Sequence, residues 1–144
     1  MLNKDKHYTL LLVKPDGYER GLTGEVLRRI ERKGYKLVAL RICQADEATL
    51  ANHYAEHVNK PFYKGLIDYM MSAPVVAAVI EGQNVVEGLR SLTGATKPTE
   101  AAPGTIRGDF ARDWDDDSVR NIVHASDSLE SAWREIPIWF DDLV

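Results

Sequence analysis

Four apolar runs divide the chain, and each ends at residues that turn or break it. Tyr8 to Val13 is mostly apolar and predicts a buried strand. Lys14-Pro15-Asp16-Gly17 follows it with turn chemistry. Tyr35 to Gln44 predicts a second strand, with Leu37, Ala39 and Ile42 broadly inward. Val75 to Ile80, after Pro74, predicts a third, and Ile122 to His124 a fourth. Between them apolar residues recur at helical spacing. Thr23 to Lys33 reads as a helix with Thr23 as a candidate N-cap and Gly34 at its C′ position. Asp46 can cap a helix carrying Leu50, His53, Tyr54 and His57. Pro61 opens a helical segment to about Met71, Asn84 to Leu92 forms another helix, and Ser128 to Glu135 the last. Thr93 to Asp117 lacks strong periodicity, and a loop of that length in a compact domain is usually functional or disordered. The tail Ile136-Pro-Ile-Trp-Phe140 is apolar enough to pack.

The pattern cuts into two β-α-β units, with Asp46 to Met71 as a helical link. A ferredoxin-like α+β sandwich, with a four-stranded antiparallel sheet and helices packed on it, is the simplest fold for this order. A doubly wound parallel sheet is the alternative, but four strands are few for it. The 144 residues predict one domain over 1–144, and 44% hydrophobic residues supply a sizeable core. A net charge of -4 argues against general or specific nucleic-acid binding. One cysteine, Cys43, excludes an intrachain disulfide and fits a reducing cytoplasm; its apolar strand predicts an inert core thiol. The polar start Met1 to His7 lacks the apolar region of a signal peptide, and no apolar stretch predicts a membrane span.

The chemistry concentrates at Asn121-Ile-Val-His124-Ala-Ser-Asp-Ser128. His124 ends a strand, and Ser126, Asp127 and Ser128 behind it favour a helix start. An imidazole at such a corner can face an open cleft from a rigid backbone, which suits a nucleophile or proton carrier. Lys14, Arg90, Thr96, Arg107, Arg120 and Asn121 lie near element ends or in the long loop. Guanidinium forks match phosphate oxygens, and a histidine facing several cations suits phosphoryl transfer. There is no P-loop and no dinucleotide fingerprint. His53-Tyr-Ala-Glu56-His57 fits a loose zinc-peptidase pattern, but no third ligand is evident, and both histidines read as surface or half-buried residues. Asp113 to Asp117 reads as a solvated acidic face.

These residues together resemble the nucleoside diphosphate kinase family. The resemblance spans almost the whole chain and is strongest at Lys14-Pro-Asp-Gly17, His53-Tyr54, Pro61-Phe62, Ser72-Ala-Pro-Val75, Pro103-Gly-Thr-Ile-Arg-Gly-Asp109 and Asn121 to Ser128. It implies ping-pong transfer of the γ-phosphate from a nucleoside triphosphate to a diphosphate (ATP, GTP, ADP and others) through a phosphohistidine. Mg²⁺ would accompany the nucleotide, held mainly by its phosphates. His124 would be the nucleophile, with Glu135 and Ser126 holding its ring. Lys14 and Asn121 would contact ribose and phosphates, and Arg90, Thr96 and Arg107 the terminal phosphates. Tyr54 would line the cleft, and Phe62 would stack on the base, which tolerates every base. The family also implies a homo-oligomer, a hexamer in preference to a tetramer. Arg120 carries no equally clear role.

Two departures stand out. Ala125 occupies a position where glycine is common, and Ala111 to Val119 looks longer than usual, with Trp114 as its expected apolar anchor. Other readings are a non-catalytic nucleotide-binding module, a phosphohistidine relay to a protein partner, and a nucleic-acid binder. The intact set His124, Ser126 and Glu135 opposes the first, Phe62 the second and the net charge the third.

Overall fold

The computed structural model describes residues 1–115 and 120–144. Its four strands are β1 (Tyr8–Val13), β2 (Lys36–Cys43), β3 (Val75–Glu81) and β4 (Val123–Ala125). They form one sheet in the order β2-β3-β1-β4, and every adjacent pair is antiparallel. This is the ferredoxin-like α+β arrangement that the β-α-β division implied. The helices are α1 (Pro15–Glu19), α2 (Thr23–Arg32), α3 (Glu47–His53), α4 (Tyr63–Met70), α5 (Val85–Thr93), α6 (Ile106–Phe110) and α7 (Leu129–Trp139).

The central strands β1 and β3 are buried on both faces, which explains their unbroken apolar runs. One face carries Leu11, Val13, Val76, Ala78 and Ile80 against Val26 and Ile30 of α2 and Val85 and Leu89 of α5. The other carries Tyr8, Leu10, Leu12, Ala77 and Val79 against Leu50, Ile67, Met70, Ile136 and Trp139 of α3, α4 and α7. The helical link and the C-terminal helix therefore close the second face of the sheet.

Several local readings change. Lys14 to Gly17 does not only turn: Pro15 starts α1, because its fixed φ suits a first helical turn where no N–H bond is needed. Thr23 does not cap α2; Leu22 holds the cap position, and the Thr23 hydroxyl is buried without a partner. Asp46 does cap α3, accepting from Thr49 N at 2.7 Å. A bulge between Leu37 and Ala39 shifts the register of β2 and puts Leu37 on the same face as Leu40 and Ile42, paired with Ile80, Ala78 and Val76; Ile42, on the edge strand, is left 61% exposed there, not inward. The long loop contains a 3₁₀ turn at Pro98–Glu100 and the five-residue α6, too short to leave a periodic signal; Thr105 caps α6 by accepting from Gly108 N. Ser128 caps α7, which runs on through Pro137 to Trp139 because Ile136 and Trp139 are buried there. The apolar tail packs as helix. No helix among the described residues is long and apolar enough to cross a membrane.

Candidate active site

His124 lies in β4, paired with Leu12 of the buried strand β1, so its backbone is held firmly. Its Nε2 lies 3.0 Å from Glu135 Oε1, delivered by α7. A carboxylate only accepts, so Nε2 carries the proton and Nδ1 keeps its lone pair. Ser126 Oγ donates to the same Glu135 oxygen at 2.7 Å and accepts from Leu10 N at 3.2 Å. Burial alone would raise the Glu135 pKa; the His124 contact and the Ser126 bond outweigh it and leave Glu135 below the usual range, hence ionised. The His124 side chain keeps 19% of its exposure, against 8% for Glu135. The imidazole is thus oriented from behind and open in front.

The cations converge around it. Lys14 Nζ donates to Asn121 Oδ1 at 2.8 Å, and Asn121 Nδ2 donates to the Thr96 carbonyl at 3.0 Å. Arg107 is buried, and its guanidinium donates to Asn121 O at 3.1 Å, Gly94 O at 2.8 Å and Val123 O at 2.7 Å. Arg107 therefore also staples the long loop to β4. Arg90, from α5, donates to Asp127 at 2.8 Å and to the Ala125 carbonyl at 3.3 Å. Burial, reinforced by Arg107, lowers the Lys14 pKa to about 8. Burial, reinforced by Arg90, lowers that of Arg107 to about 10. Among the described residues, Lys14 and Arg107 hydrogen-bond only to the neutral oxygens named above while neighbouring cations depress them, so an anion would be welcome beside them.

An aromatic path leads away from His124. The His53 ring sits 4.7 Å from the His124 ring and 4.6 Å from that of Tyr54. The His57 ring lies 5.4 Å from that of Phe62, a residue 52% exposed. An open aromatic ring with Lys60 Nζ 5.8 Å from its centre can serve as a stacking platform for a flat ligand. The Tyr54 hydroxyl is buried without a partner, and burial pushes its pKa up, so it stays a neutral donor. His53 is buried rather than surface or half-buried, as its spacing to His57 had suggested. It accepts from Trp139 Nε1 at 3.1 Å, and burial, with the neighbouring His124, drives its pKa down to about 3. Nothing in its local sequence marks it, because Trp139 and His124 reach it from distant segments.

Among the described residues, His53, His124 and Glu135 are the only group with donor atoms close enough to share a metal ion. Two imidazoles already in hydrogen bonds do not suit Mg²⁺, which demands oxygen ligands. Cys43 is half-buried with its pKa raised by burial, an unreactive thiol. Trp114 is half-buried, with the guanidinium carbons of Arg112 and Arg120 4.0 Å and 5.1 Å from its ring centre. Asp113 and Asp115 are exposed; Asp116 to Val119 lie outside the described residues.

Known proteins resemble this chain in sequence and fold. The sequence profile of the nucleoside diphosphate kinase family matches residues 7–143. A nucleoside diphosphate kinase of Archaeoglobus fulgidus is 55% identical over 93% of this chain and 86% of its own. One from Corynebacterium diphtheriae is 54% identical over 94% of this chain and 97% of its own. Among solved structures, a halophilic nucleoside diphosphate kinase from Halobacterium salinarum in complex with CDP superimposes with a TM-score of 0.89. It shares 43% identity over 95% of this chain and 89% of that one. A transition-state mimic of the Borrelia burgdorferi enzyme with vanadate and ADP gives a TM-score of 0.89 at 41% identity, over 95% of this chain and 88% of that one. The chain is a phosphotransferase and belongs to the nucleoside diphosphate kinase family.

Proposed function

We propose that the whole chain works as one nucleoside diphosphate kinase domain in which His124 carries the phosphoryl group between nucleotides. The observation that carries this reading is the Nε2–Glu135 contact at 3.0 Å, which leaves Nδ1 as the open nucleophile. Nδ1 attacks the γ-phosphorus of a nucleoside triphosphate in line; the bond to the β-phosphate oxygen breaks and the diphosphate leaves. Glu135 then balances the positive charge on the ring. A second diphosphate takes the phosphoryl group back by the reverse attack, and His124 is restored.

Lys14, Asn121, Arg90, Thr96 and Arg107 hold ribose and phosphates in this reading, Tyr54 offers its hydroxyl, and Phe62 stacks on the base. A phosphate at Arg90 takes the place of Asp127, whose carboxylate occupies that guanidinium in the free protein. Mg²⁺, for which the described residues offer no oxygen cage, would come with the nucleotide and neutralise phosphate charge when bound. The CDP and ADP complexes of the Halobacterium and Borrelia proteins support nucleotides as the ligands. The lone cysteine supports a cytoplasmic location.

Incubation with γ-labelled ATP tests the reading. The protein should take up label that survives alkali, is lost in acid and is chased off by a nucleoside diphosphate. His124→Ala should take up none while still binding nucleotide. Undiminished labelling in that variant would sink the assignment.

A further inference from the structure

The segment leading into His124 has a backbone that isoleucine avoids. Ile122 has a φ of 71°, in the left-handed region where a β-branched side chain is strained. Around it the chain closes a γ-turn, with Val123 N donating to Asn121 O at 2.7 Å across the single residue Ile122. Asn121 lies immediately before this turn's centre and His124 two residues after it. The turn therefore sets how the Asn121 amide and the His124 ring lie relative to one another. Such a conformation persists only where its surroundings over-determine it.

Those surroundings come from the start of α1. Ile122 N donates to Asp16 Oδ2 at 3.2 Å, and Lys14 N donates to Ile122 O at 2.7 Å. The other Asp16 oxygen accepts from the Tyr69 hydroxyl, and Tyr69 Oη in turn accepts from Asp16 N at 3.3 Å. The carboxylate is thus anchored on two sides and cannot swing away from the turn. Gly17 lets α1 approach this closely: a Cβ there would stand 2.9 Å from Val13 Cγ1 and 3.0 Å from Ile122 Cγ2. Asp16 is not among the residues placed at the phosphates above, though its charge also acts on Lys14 and offsets part of the lowering of that ammonium's pKa by burial and Arg107.

We infer that Asp16, anchored by Tyr69, is a positioning residue for phosphoryl transfer, which it serves by holding the Ile122 γ-turn that places Asn121 and His124. The inference rests on the reading of His124 as nucleophile. It predicts that loosening the clamp slows the chemical step more than it weakens nucleotide binding, because the error falls on the nucleophile's geometry.

Three variants test it, each followed by phosphoenzyme formation after rapid mixing with labelled ATP, by nucleotide titration and by amide exchange at Ile122. Asp16→Ala should speed Ile122 exchange, slow phosphoenzyme formation by about tenfold or more and leave nucleotide affinity within about threefold. Asp16→Asn can still accept from Ile122 N and donate to Tyr69, so it should retain most of the rate. Tyr69→Phe should fall between the two, and it decides the matter should Asp16→Ala not fold. A folded Asp16→Ala or Tyr69→Phe protein with faster Ile122 exchange and an undiminished rate overturns the inference, and leaves the nucleophile assignment standing. Persistent labelling of His124→Ala instead overturns the nucleophile assignment, whatever the Asp16 variants do.

Discussion

Lys14 sits among cations and carbonyl-bound groups, and burial brings its ammonium down to about 8. Below that pH it is charged and can meet a phosphate; above it the charge is lost. The kcat/KM profile, which reports the free enzyme, should therefore fall as pH rises through about 8. Bound phosphate favours the charged form, so kcat at saturation should hold to higher pH. A Lys14→Met variant should lose that alkaline limb; its persistence would assign the ionisation elsewhere. The sign for stability is opposite. The folded pKa lies below the unfolded value of 10.5, so the cost of burying the charge is present below about 8 and is relieved as pH rises from there to 10.5. Phe62 makes a different prediction. With 52% of its surface open, Phe62→Ala should weaken all nucleotides alike, by about 1–3 kcal/mol if single-strand stacking transfers. Titration with purine and pyrimidine diphosphates checks this, and a large change in base preference would point to hydrogen-bond readout.

At the scale of elements, the site depends on short pieces that carry little helical signal of their own. The start of α1 brings its cap residue Lys14 and Asp16 to the residues just before β4, and α6 delivers Arg107, whose three carbonyl bonds join the long loop to the strand of the nucleophile. An Arg107 variant would therefore report lost structure as well as lost phosphate contact, and Arg90, half exposed on α5, is the cleaner probe. Arg90→Ala should lose roughly 10²–10³ in turnover, by analogy with an oxyanion donor. Ala111 to Val119 behaves differently in our proposal. Asp113 and Asp115 are exposed, and two guanidinium groups lie over the Trp114 ring, which fits an addition outside the chemistry. Deleting Trp114 to Asp117 should keep turnover within about tenfold while changing thermal stability or assembly. A deletion with intact assembly and stability but no activity would place the segment in catalysis.

For the whole molecule, the sheet is covered on both faces, yet its edge at β2 shows Leu40 and Ile42 at 52% and 61% exposure. An edge strand with exposed apolar side chains invites pairing. We propose that the chain assembles with copies of itself; the preference for a hexamer over a tetramer rests on the family resemblance, not on this edge. Sedimentation should show a species of six 16.2 kDa chains, and a monomer at working concentration would remove the proposal.

Much of this was readable in advance, for a physical reason. Strand burial, cap residues and the helix-strand order are local or periodic properties, so β1, β3, α2, α3 and the antiparallel α+β arrangement followed from the chain alone. The site residues were legible because their motifs resemble a known family, not because spacing showed them to converge. Contacts between distant segments left no local mark. The burial of His53 needs Trp139, 86 residues away, and the strain at Ile122 needs Asp16, 106 residues away. The exposure of Ile42 needs β2 to lie at the edge of the sheet, which only the strand order decides. Residue type and periodicity determined which elements form; only tertiary packing decided which buried groups face one another, because that pairing is a property of the closed sheet and the helices upon it.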